Sequence, residues 1–132
     1  MIKKIFAAVL LGVASLTVVA TTPASAAGTC YTSVTYSFGF QLESAGDTVT
    51  TPVLYASGHC NDANVKRTST YSARTCVIRV YQGQSDCTLG ASMTTGWTVP
   101  AGGDDIPPGK AFKVKFGAAS AYNRTIAGKV AY

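Results

Sequence analysis

This sequence predicts an all-β fold: a two-layer antiparallel β-sandwich of about seven short strands, stapled by disulfides. Three observations carry that prediction. Apolar and polar residues alternate through most of the chain, and beyond the N-terminal segment no helical period stands out. Clusters of Gly, Pro, Asn, Asp and Ser recur between the alternating runs, as turns do between strands. Four cysteines, Cys30, Cys60, Cys76 and Cys87, lie in a 132-residue chain that opens like an exported protein.

That opening is residues 1–26. Lys3 and Lys4 precede an apolar run from Ile5 to Ala20, and Ala24-Ser25-Ala26 follows as a small-x-small cleavage site. The run is shorter than the roughly 20 residues that span a bilayer as a helix. The segment therefore reads as a cleaved signal peptide. The expected mature chain, 27–132, is one secreted β-sandwich domain with no membrane span. The paired lysines and Ala-rich body have a bacterial look, so the sequon Asn123-Arg124-Thr125 is not expected to be glycosylated.

The strands follow in order. Val34, Tyr36, Phe38, Phe40 and Leu42 alternate with Thr35, Ser37, Gly39 and Gln41, which gives one core face. Ala45-Gly46-Asp47 turns the chain into a strand from Thr48 to Tyr55. Pro52 lacks an N–H, so this strand is expected at an edge or with a bulge. Ser57 to Asp62 is a turn cluster. Asn64 to Tyr71 is a weak strand, and Thr75 to Tyr81 is a strong, largely β-branched one. Ser85 to Thr95 reads as loop, and Trp97-Thr98-Val99 as a short strand. Pro100 to Lys110 is a Pro/Gly-rich loop. Phe112, Val114 and Phe116 mark another half-buried strand. Thr125 to Tyr132 closes the chain, with Ile126, Val130 and Tyr132 on one face.

The cysteines lack the tight C-x-x-C pairs of a metal site, so they read as a disulfide framework. Of the three possible connectivities, Cys30–Cys60 with Cys76–Cys87 is favoured. A turn at Gln82-Gly83 brings Cys87 back beside Cys76.

Charge excludes some functions. Without Lys3 and Lys4 the eleven Lys+Arg fall to nine, against six Asp+Glu, a balance of +3. The longest basic run is Lys66-Arg67, so no nucleic-acid stripe is present and no nucleic-acid partner is expected. Catalytic machinery is equally sparse. His59 is the only histidine, next to a cysteine expected in a disulfide, and no serine lies in a G-x-S-x-G turn. Asp104 and Asp105 are adjacent, which points them apart in an extended segment. The loop around them lacks the spacing of a calcium loop. No catalytic residue, metal or cofactor is expected, and the protein reads as a non-enzyme.

Aromatics are the most plausible binding apparatus, with Trp97, Tyr31 and Tyr81 as candidates. For Trp97 the first reading is a core anchor beneath the loop that follows it. The second is an exposed stacking platform. The loop 100–110, stiffened by Pro100, Pro107 and Pro108, offers another role, that of an inhibitory segment. Gly102-Gly103 and the lack of a cysteine inside it weigh against that.

The chain resembles small exported proteins of the actinomycete type. The resemblance rests on the Ala-rich signal, Gly58-His59-Cys60-Asn61-Asp62, Thr75-Cys76-Val77-Ile78-Arg79-Val80, Gly96-Trp97-Thr98-Val99-Pro100 and the run Gly109 to Phe116. It implies export and a β domain and transfers no active-site residues. The two-disulfide α-amylase inhibitors do not fit, because their Trp-Arg-Tyr triplet is absent and the cysteine spacing differs. The function expected is a binding or interaction role at an extracellular polymer or protein. The alternative is inhibition of an extracellular hydrolase by the loop 100–110.

Overall fold

A computed structural model describes residues 30–120 and 123–132, so the expected signal segment lies outside the described residues. Among them seven strands occur: β1 (Thr35–Leu42), β2 (Thr48–Thr50), β3 (Leu54–Tyr55), β4 (Asn64–Arg67), β5 (Ala73–Ile78), β6 (Ala111–Ala118) and β7 (Arg124–Ala131). All strand pairing is antiparallel, and two sheets pack face to face. The predicted all-β sandwich is the observed fold.

Sheet one has the order β1-β7-β4. Alternation decides its faces: Tyr36, Phe38, Phe40 and Leu42 turn inward, while Thr35, Ser37, Gly39 and Gln41 stay exposed. Phe38 pairs in register with Gly128, and its ring fills the space that a side chain at 128 would need. Sheet two is built on β6. β5 pairs along one of its edges, and β2 and β3 follow in tandem along the other. Phe112, Val114 and Phe116 project from β6 into the core and meet Ile126 and Val130 from sheet one.

Pro52 explains the tandem pair. The expected strand from Thr48 to Tyr55 breaks at 51–53, on the edge where a missing N–H is tolerated. Thr51 repairs the ladder at the break. Its N–H donates to the Val114 carbonyl at 2.9 Å, and its Oγ1 accepts the Val114 N–H at 3.0 Å.

Three other strands differ from the sequence reading, the first being that expected over Asn64 to Tyr71, which ends at Arg67. The strand expected over 75–81 runs from Ala73 to Ile78 and then winds into a 3-10 turn, Val80–Gln82. The Arg79 N–H donates to Gln84 Oε1, and the Arg79 carbonyl accepts from the Gln82 and Gln84 amides, so local bonds replace the ladder. The strand expected at Trp97–Val99 is a single bridge between Thr98 and Val65.

The chain from 89 to 103 closes one side of the sandwich. It bonds to β5 through Ala91 and Ala101 and to β4 through Thr94 and Thr98, covering both edges. Both expected disulfides are present. Cys30–Cys60 joins a helical turn at 30–33 to the loop before β4, and Cys76–Cys87 joins β5 to the segment after the 3-10 turn.

Candidate binding face

The outer faces of the two sheets differ. On sheet two, residues 84–91 lie across β5 and β6 as a strap. Leu89 occupies the space above Gly117, and the Arg74 guanidinium donates to the Leu89 and Gly90 carbonyls. Lys115 Nζ binds Asp86 at 2.7 Å, and Cys76–Cys87 fixes the strap to the strand beneath. That ion pair, with the Cys87 amide, holds the Asp86 carboxyl below its ordinary range. On sheet one, the outward residues Thr35, Ser37, Gln41, Thr125 and Lys129 are exposed.

At the β4 side of this open face the sequence builds an aromatic pair. Cys30–Cys60 and Ala131 form a small buried cluster of their own, and Trp97 packs against it. Trp97 is delivered by its neighbour. Thr98 exchanges both backbone hydrogen bonds with Val65, at 2.8 and 2.9 Å. Tyr31 comes from the turn held by Cys30. The two rings lie 5.0 Å apart between centroids and 13° from parallel, a stacked pair. Lys66 Nζ stands 4.9 Å from the Trp97 ring centroid, within cation–π range. Tyr31 is 42% exposed, and Trp97 is half-buried.

Two of the three expected aromatics are therefore brought together. Trp97 takes neither of its expected roles in full. It lies outside the main core, and the disulfide cluster, not the loop 100–110, is what it covers. Tyr81 is elsewhere. It sits on the 3-10 turn, packs on the main core, and its hydroxyl accepts from Arg79 Nη1 at 3.2 Å.

The loop 100–110 is laid against the body. Ile106 is 2% exposed, and its N–H donates to the Asn61 carbonyl. Arg79 Nε donates to the Gly102 carbonyl, and Asp62 Oδ1 accepts the Asp105 N–H at 2.8 Å. Asp105 holds a φ of 50°, a left-handed conformation that Asp tolerates better than most residues. Among the described residues no group of three His, Cys, Asp or Glu side chains is placed to hold a metal. His59 is exposed, and Cys60 beside it is in a disulfide and so has no thiol.

A concavity lies on the side of the sandwich opposite the closing segment. It is a cleft of about 260 Å³ between β1 and β2, lined by Tyr36, Phe38, Phe40, Val49 and Phe116. Sequence reading missed it, because it treats every inward aromatic of an alternating strand as filled core.

Fold and face together define a class: a disulfide-stapled β-sandwich with one strapped sheet and one open sheet bearing an aromatic pair. No protein-family model, curated protein or solved structure matches this chain.

Proposed function

We propose that this chain is a secreted, non-enzymatic binding protein that engages an extracellular polymer through Tyr31 and Trp97. The observation that carries this reading is the stacked pair on the open face of sheet one. The main core does not include either ring, yet a disulfide and a backbone bridge fix both in place. Fixed, amphipathic rings lose little entropy when a ligand stacks on them. Two disulfides and the signal-like residues 1–26 support export. Among the described residues no helix is long and apolar enough to cross a membrane. An inhibitor would need the loop 100–110 to project, and buried Ile106 draws it inward.

Co-sedimentation with insoluble polysaccharides such as cellulose, chitin and peptidoglycan tests this. At least one should pull the protein down. Tyr31→Ala should weaken that capture tenfold or more without lowering the melting temperature by more than a few degrees. A Tyr31→Ala protein captured as well as the parent overturns the reading.

A further inference from the structure

The register of sheet one places Lys66 directly opposite Lys129. The flanking pair, Val65 and Val130, is fully buried, so by alternation both lysines point to the outer face. Like charges at directly opposed positions are repulsive, and their Cβ atoms are about 4.5–5.5 Å apart. Among the described residues no carboxylate on that face offsets them. The other outward residues of β1 and β7 are Thr, Ser, Gly, Gln and Ala, with no carboxylate among them. The ion pairs among the described residues, Arg79–Asp104 and Lys115–Asp86, involve neither lysine. Lys66 also reaches over the Trp97 ring, so the two positive charges, with no carboxylate partner, adjoin the aromatic pair. The surrounding strand surface is open and carries hydroxyl and amide groups, which suits an extended polar chain.

We infer that the polymer bound at Tyr31 and Trp97 is an acidic polysaccharide, with one sugar unit on the exposed Tyr31 ring and a carboxylate from another unit of the same chain between Lys66 and Lys129. This rests on the binding reading above and names its substrate class. A carboxylate there converts a repulsive pair into two charge-assisted contacts. The remaining charge of the chain is small, so selectivity belongs to this pair and not to net charge.

Retention of the full mature protein on immobilised polygalacturonate, dextran and poly(dT) tests it. The expected result is retention on polygalacturonate at least tenfold above dextran, falling on addition of salt. Lys66→Gln/Lys129→Gln should lose that retention tenfold. Lys110→Gln/Lys113→Gln, which removes the same charge from the other sheet and the loop before it, should lose less than twofold. Equal losses in the two double variants, or equal retention on poly(dT), overturn the inference. Retention on dextran undiminished by the lysine changes overturns it too, yet leaves the aromatic reading standing if Tyr31→Ala abolishes retention. Failure on all three matrices and on the insoluble polymers overturns both.

Discussion

Gly128 is where sheet one tolerates no side chain. A Cβ there would strike the Lys66 carbonyl, which is backbone, and the Phe38 ring. Gly128→Ala should therefore destabilise by about 1–3 kcal/mol, the usual range for overpacking. Gly117→Ala should cost less, because the atom it meets is the flexible end of Leu89. Chemical denaturation of both variants checks the order. Asp47 shows a different kind of residue effect. Its carboxylate accepts the Glu43 and Ser44 amides and the Ser44 hydroxyl, closing the turn that ends β1. Those bonds, the Ser44 amide first, hold its carboxyl below the ordinary value of 3.8. A carboxyl lowered in the folded state adds stability above its unfolded pKa. That stability is lost as pH falls through the folded value, in this case below about pH 4. Asp47→Ala should flatten the fall in melting temperature over that acid range and leave neutral pH less stable than the parent. A parallel acid profile in the variant would count against this role.

Among the elements, the two disulfides divide the work. Cys30–Cys60 spans 30 residues and Cys76–Cys87 spans 11. By chain entropy alone the longer loop contributes about 0.9 kcal/mol more. Cys30→Ala/Cys60→Ala should thus lower stability more than Cys76→Ala/Cys87→Ala. It should also lose polymer capture, because it frees the turn that carries Tyr31, whereas the second pair holds only the strap on the opposite sheet. Melting and capture assays on both variants check this. Much at this scale was legible in the sequence. Alternation exposed β1 and β6, Pro52 announced the broken edge strand, and Gln82-Gly83 announced the turn that pairs Cys76 with Cys87. What stayed hidden depends on register. Lys66 and Lys129 are 63 positions apart, and no local pattern says that β7 lies between β1 and β4. Trp97 was legible as a candidate, but its partner Tyr31 meets it only because Cys60 and Thr98 are placed by different elements. The 3-10 turn at Val80–Gln82 was hidden for another reason: its β-branched and aromatic residues favour strand, and Gln84 overrides them from outside the window.

In the molecule as a whole, the two sheets differ in what covers their outer faces. One outer face is strapped by residues 84–91 and fastened by a disulfide, an ion pair and the Leu89–Gly117 contact. The other is open, and it is the one that carries the stacked rings and the two opposed lysines. The main core includes neither ring, and Tyr31 lies outside the small disulfide cluster as well, so binding and stability should separate: changes at Tyr31 should move binding alone, and changes at Gly128 should move stability first. The chain supplies its own reporter for ligand binding at the aromatic pair, since Trp97 is its single tryptophan. The direct measurement is Trp97 emission during titration of the folded protein with soluble polygalacturonate. Binding at the aromatic pair should give a saturable change in intensity or wavelength, with the same midpoint as binding measured independently, and Tyr31→Ala should lose that change. Saturating binding that leaves Trp97 emission unaltered would contradict binding at that pair.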